Sequence, residues 1–146
     1  MRGYCGIGIE RSKTPVNVGT LWRSAYILGA DYIFTVGKRY PRQASDTIKA
    51  FRHMPFWEFT DLDDMRTPYD CPLIGVELDP RARMLADFTH PERACYLLGA
   101  EDHGLTAEAL NRCHHIVQLP GKLCLNVATA GSIVLYDRWV KREALS

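Results

Sequence analysis

Short apolar runs alternate with stretches of helical periodicity along nearly the whole chain, and this alternation constrains the fold more than any other feature. Apolar runs bounded by turn residues read as buried strands, and strands that take turns with helices build a largely parallel sheet covered by those helices. The pattern predicts strands over 4–10 (YCGIGIE), 32–36, 57–59, 73–78, 95–98 and 116–119. A helix follows the first strand from about Asn17, with Val18, Leu21, Trp22, Ala25, Leu28 and Gly29 at helical spacing and Arg23 on the opposite face. A shorter helix is expected over 45–54, capped by Ser45 or Asp46 and stopped by Pro55, and another over 107–112 capped by Thr106. The expected fold class is α/β, one domain over 1–146 with a mostly parallel sheet flanked by helices. A chain of 146 residues, 47% hydrophobic and 24% charged, holds one core and excludes a disordered, collagen-like or coiled-coil protein.

A last helix over 126–142 would span about 25 Å. It carries Val127, Ala130, Gly131 and Val134 on one side and Ile133, Tyr136 and Val140 on another. A helix that is apolar nearly all round has to be covered on more than one face. So small a chain has little material for that, which points to a homodimer.

No run approaches the roughly 20 apolar residues of a membrane-spanning helix. The opening MRGYCGIGIERSK lacks the apolar core and cleavage site of a secretory signal, so the expected location is the cytoplasm, with no membrane partner. Five cysteines, none in a CxxC pair, read as free thiols of an intracellular chain. Cys113, His114 and His115 form the one cluster with metal-ligand chemistry, but no second ligand pair stands at finger-like spacing, so no metal is expected. Net charge is +1, unevenly spread: residues 1–60 hold nine Lys and Arg against four Asp and Glu. Lys38, Arg39, Arg42, Lys49 and Arg52 form a basic stretch that could meet a polyanion. On charge alone, a solvated surface is the better explanation.

Three segments have residue types that plain structure does not require. Asn17-Val-Gly19-Thr-Leu-Trp-Arg23 stands at the first strand-to-helix junction. There Asn17 can cap the helix, and a helix N-terminus with a nearby guanidinium suits a phosphate. Leu97-Leu-Gly99-Ala-Glu101-Asp-His-Gly104-Leu105 ends a strand in a tight loop, where ligands of open α/β sheets bind. Asp102 and His103, being adjacent, read as surface polar residues rather than a catalytic pair. Leu119-Pro-Gly-Lys-Leu-Cys-Leu-Asn126 runs from the last strand into the last helix, with Asn126 at the cap position. Apolar residues beside backbone amides there also suit a flat adenine. Phosphate-loop, hydrolase-elbow and HExxH patterns are absent, and Gly6-Ile-Gly8 lies inside the first strand rather than after it.

Taken jointly, the segments resemble the three signature motifs of the SpoU (TrmH-like) branch of the SPOUT RNA methyltransferases. Asn17-x-Gly19-x-x-x-Arg23 resembles the first, Leu98-Gly99-x-Glu101-x-x-Gly104-Leu105 the second, and Leu119-Pro120 followed by Leu125-Asn126-Val127 the third. The resemblance implies methyl transfer from S-adenosylmethionine to an RNA ribose 2′-hydroxyl, a C-terminal trefoil knot that holds the cofactor, and a dimer. By position it assigns a catalytic group of Arg23, Asn17, Glu101 and Asn126. Arg23 would contact the phosphate or ribose, Asn17 would place the substrate, and Glu101 and Asn126 would order the site. Cofactor contacts fall to Gly99, Leu119, Cys124 and Leu125, with Leu78 at the pocket wall.

One position departs from the family: Cys124 stands where Ser is usual before Leu-Asn. A thiol is a poorer hydrogen-bond partner than a hydroxyl. The loop over 120–124 also looks short for the family. A catalytically silent RNA-binding dimer of the same fold therefore stays open as the alternative. Short relatives without RNA-binding extensions include enzymes that methylate the tRNA wobble ribose, so tRNA is the expected substrate and ribosomal RNA its rival.

Overall fold

The computed structural model describes residues 3–40, 54–122 and 125–144. Its strands are β1 (Tyr4–Glu10), β2 (Tyr32–Val36), β3 (Phe56–Phe59), β4 (Leu73–Val76), β5 (Arg83–Met84), β6 (Arg93–Gly99) and β7 (His115–Gln118). Its helices are α1 (Pro15–Ile27), α2 (Ala107–Arg112) and α3 (Val127–Trp139), with a short 3-10 turn over Leu85–Asp87 and a widened helical turn over Val140–Ala144. The strands form one sheet in the order β3-β2-β1-β6-β4-β7-β5, every neighbouring pair parallel.

The alternation therefore identifies the class, and most elements stand where it puts them. Three differ. Helix α1 begins two residues before Asn17, because Pro15 sits at the first helical position, where its missing N–H costs nothing. Thr14 is thus the N-cap, its side chain making no cap bond, and Asn17 lies inside the first turn rather than capping it. Strand β5 is only two residues long, too short to show a period. The helix expected over 45–54 falls, up to residue 53, outside the described residues; Met54 is buried just ahead of β3.

Period-two alternation sorts the strand residues between two core layers. Ile7, Ile9, Ile33, Ile74 and Leu98 pack with Leu21 and Trp22 of α1 and Val134 and Leu135 of α3. On the other face, Phe34, Val36, Leu73 and Leu97 pack with Leu105 and with Ala109 of α2. The Gly6-Ile-Gly8 pattern has its cause here: a Cβ at Gly6 would stand 2.0 Å from the Tyr32 ring, and one at Gly8 2.5 Å from the Phe34 ring. These glycines make room for the rings of β2. Gly131 likewise lets α3 close on α1, where a Cβ would meet Leu21 Cδ1 at 2.5 Å.

A buried polar group fastens α3 to the start of β6. The Arg138 guanidinium donates to the carbonyls of Pro91 and Glu92, both at 2.7 Å, and to the Tyr96 hydroxyl at 3.1 Å. His90 lies between Tyr96 Oη and Asp137 Oδ2, 2.7 Å from each. Burial pushes the His90 imidazole below its ordinary value, outweighing the opposite pull of Asp137. Of the second stripe of α3, Ile133 and Tyr136 are exposed while Val140 is half-buried; Trp139 beside them is exposed, as are Val16 and Ile27 of α1. Among the described residues no helix is long and apolar enough to cross a membrane.

Candidate functional site

Strand β6 runs straight into the loop over 100–106, and its last residue shows why a glycine stands there. A Cβ on Gly99 would lie 2.1 Å from the backbone carbon of Gly104, so any side chain would push the loop off the strand. Gly104 turns the chain back with a φ of 67°, its N–H donating to Ala100 O at 2.7 Å. Two carboxylates then fix the far end of the loop. Glu77 accepts from the Leu105 N–H at 2.7 Å, and buried Glu10 accepts from the N–H and hydroxyl of Thr106 at 2.8 and 2.7 Å. Thr106 also caps α2, its hydroxyl accepting from the Ala109 N–H at 3.1 Å.

Beside this loop, at the carboxyl ends of β4 and β6, opens a cavity of about 220 Å³. Val76, Leu98, Val127 and Ala130 give it an apolar lining, and Glu101 borders it with a carboxylate. Four of the expected cofactor contacts, Leu78, Gly99, Leu119 and Leu125, line this same cavity. Cys124 lies outside the described residues.

The three segments meet in one chain of hydrogen bonds. Asn126 caps α3, its Oδ1 accepting from the amides of Ala128 and Thr129 at 2.9 and 3.2 Å. With that oxygen engaged, its Nδ2 donates to Asn17 Oδ1 at 3.0 Å, and Asn17 Nδ2 donates to Glu101 Oε1 at 3.0 Å. A carboxylate only accepts, so both amide orientations are dictated from the two ends of the chain. Each amide keeps one N–H beyond the chain. Arg23 is not part of it: exposed on α1 and about 9 Å further along the helix axis, it has no hydrogen bond or ion pair with any described residue.

Other candidates resolve differently. Asp102 pairs with Arg39 rather than with His103, whose Nε2 stands 3.6 Å from Asp102 Oδ2. In the basic stretch Lys38 pairs with Glu58 at 3.1 Å, so Lys38 and Arg39 both already face carboxylates; Arg42, Lys49 and Arg52 lie outside the described residues. Cys113 Sγ donates to Ala109 O at 3.2 Å, and His114 Nδ1 accepts from the Leu73 N–H at 2.9 Å. Burial pushes the thiols of Cys5 and Cys113 up to about 11 and that of Cys95 to about 12, which keeps them protonated and inert near neutrality. Sequence reasoning missed Glu10, Glu77 and Arg39 as loop anchors. A lone acidic residue closing an apolar strand, as Glu10 does, was the available signal.

The profile of a family described as the SpoU rRNA Methylase family matches residues 6–136. A 23S rRNA (uridine(2479)-2'-O)-methyltransferase of Streptomyces viridochromogenes is 24% identical over 148 residues, spanning 92% of this chain and 52% of that protein. The chain thus spans about half the length of this curated relative. The SpoU methyltransferase AviRb of the same organism, solved in complex with the cofactor AdoMet, has a TM-score of 0.85 at 21% identity and covers 99% of this chain and 62% of that one. A structure concerned with 2-OH methylation of C/U34 on tRNA has a TM-score of 0.81 at 18% identity, over 95% and 96% of the two chains. At these identities the likeness to solved structures is one of fold.

Proposed function

The chain belongs to the SpoU rRNA Methylase family, and from that premise we propose that it transfers a methyl group from S-adenosylmethionine to a ribose 2′-hydroxyl of RNA. The observation that carries this reading is the hydrogen-bonded chain Glu101–Asn17–Asn126, which joins three sequence segments at the edge of an apolar cavity. Nothing in the fold itself requires an exposed amide inside the first turn of α1 to be held by residues 84 and 109 positions away.

The cavity suits the cofactor. Its apolar lining fits a flat adenine, and the Glu101 carboxylate suits a cationic methyl donor. Leu78, Gly99, Leu119 and Leu125 would hold S-adenosylmethionine, with Cys124 between the last two. When bound, the cofactor supplies a methyl group already activated by its sulfonium. The protein therefore has to align the ribose oxygen and assist loss of its proton. Arg23 is a positioning and electrostatic group, since a guanidinium stays cationic near neutrality and offers a fork to phosphate. Asn17 and Asn126 keep one amide N–H each for substrate, and Glu101 locks the orientation of Asn17. A substrate phosphate would assist removal of the hydroxyl proton.

We carry tRNA as the substrate, with the wobble ribose as target and ribosomal RNA as the rival. The resemblance of its motifs to those of the wobble-ribose enzymes supports this, as does the fold shared with the structure concerned with 2-OH methylation of C/U34 on tRNA. The active form is a homodimer built on the uncovered faces of α1 and α3. A C-terminal trefoil knot is part of the same reading, supported by Leu119 and Leu125 bordering one cavity with the 99–104 loop. An experimental map traced continuously through residues 94–140 decides the knot.

The test is calorimetric titration with S-adenosylmethionine, followed by methylation of unmodified tRNA and of ribosomal RNA with mapping of the 2′-O-methyl product. Binding with product on tRNA is the expected result. Product on ribosomal RNA alone replaces the substrate, and no binding at millimolar cofactor with the fold intact makes the protein a silent RNA-binding module.

A further inference from the structure

One ion pair at this end of the sheet has no role in the reaction as proposed, yet it ties together three of the loops at this end. Arg39 and Asp102 meet in a two-pronged contact, Nη1 donating to Oδ2 at 3.0 Å and Nη2 to Oδ1 at 2.6 Å. The same guanidinium donates through Nε to Arg11 O at 2.8 Å, and the Arg39 backbone N–H donates to Ser12 O at 2.8 Å. All three guanidinium nitrogens are thus engaged. Arg11 sits in the left-handed region with a φ of 57°, an uncommon conformation for a residue with a side chain, and its carbonyl is one of those that Arg39 holds. Arg39 therefore joins the loops that follow β1, β2 and β6.

The 100–106 loop shows what this joining does. One end is fixed by β6, the other by Glu77 and Glu10. The tip is held by two side-chain contacts, Arg39 to Asp102 and Asn17 to Glu101. We propose that Arg39 is a positioning residue: acting through Asp102, it holds the loop tip so that Glu101 meets Asn17 and the cavity rim is set before a ligand arrives. The proposal rests on the cavity being the methyl-donor site. It removes Arg39 from the set of RNA contacts that its charge suggests. The contact also holds the Asp102 carboxyl down to about 2, so the pair stays charged across the physiological range. Lysine cannot replace the arginine, since it has the charge without the fork.

The test compares Arg39→Lys, Arg39→Ala and the conservative change Asp102→Asn at the cavity rim in the whole protein, each checked for fold by circular dichroism. Three readouts are taken: amide exchange over 100–104, calorimetric affinity for S-adenosylmethionine, and RNA affinity at low salt. All three variants are expected to speed exchange of the Gly104 amide about tenfold and to weaken cofactor binding to a similar degree, leaving RNA affinity within about twofold. In turnover, kcat falls while KM for RNA holds. Unchanged exchange in Asp102→Asn overturns the proposal, as does RNA affinity that falls in Arg39→Ala but survives in Arg39→Lys. If the wild type binds no cofactor, the functional reading fails by itself, and the exchange comparison still judges the clamp.

Discussion

Asn126 has two duties that one substitution can separate. Its Oδ1 caps α3 and its Nδ2 holds Asn17, so Asn126→Asp keeps the acceptor and removes the donor. The carboxylate also suits the positive end of a helix. Melting should stay within about 2 °C of wild type while methyl transfer falls about 10-fold, the worth of one hydrogen bond at the exposed rim of the site. Asn126→Ala loses the cap as well and should cost about 1 kcal/mol in denaturant unfolding. Equal melting losses in the two variants would refute the separation. Gly99→Ala tests the loop instead: its Cβ meets Gly104 backbone, which has no flexible end to move aside. Calorimetry should show cofactor binding lost, with stability lower by about 1–3 kcal/mol. Asn17, Gly99, Glu101 and Asn126 were legible because their types are odd at strand-to-helix junctions. Arg39, Glu10 and Glu77 were not, since their partners lie 63, 96 and 28 positions away and a charge read along the chain shows only its neighbours.

Among the elements, α3 has the most exacting anchor, and its pH response follows from His90. Neutral His90 donates from Nε2 to Asp137 and accepts at Nδ1 from the Tyr96 hydroxyl, which in turn accepts from Arg138. Phe88 packs edge-on against the ring and Lys141 pairs with Asp137. Because burial lowers the folded-state value, the unfolded chain takes up the proton first as pH falls. The His90 contribution is thus complete above about pH 6.5 and is lost as pH drops from there through the folded-state value. Urea unfolding of wild type and His90→Asn at pH 7.5, 6.5 and 5.5 should show the difference between them shrinking with acidity; a constant difference would exclude the linkage. The ranges of β1 and β2 could be read from their apolar runs and that of α2 from its Thr106 cap, while the two residues of β5 could not. The start of α1 was misplaced because Asn17 is a good cap, and Pro15 outranks it by needing no partner for an N–H it lacks.

For the whole molecule, the uncovered stripe of α3 makes association the first property to measure. Ile133, Tyr136 and Trp139 remain 38%, 56% and 43% exposed, on a helix whose other side is fully packed. Sedimentation should find a dimer, and Ile133→Glu with Tyr136→Glu should yield a folded monomer, since neither side chain is in the core. A wild-type monomer would remove the dimer from the proposed function. The α/β class with parallel strands was legible from alternation, whereas the strand order was not: parallel neighbours are joined through other elements, and the pairing of Tyr4 with Arg93 leaves no mark on local sequence. That pairing also bears on how the protein is made. Strand β1 sits inside the sheet, and one of its two edges is completed only by β6. On a ribosome adding about 5–20 residues per second, the nascent chain must hold a nearly all-apolar strand with an open edge until residue 99 has left the exit tunnel. Synthesis of this protein should therefore lean on chaperones that guard unfinished sheets, more than its modest size would suggest.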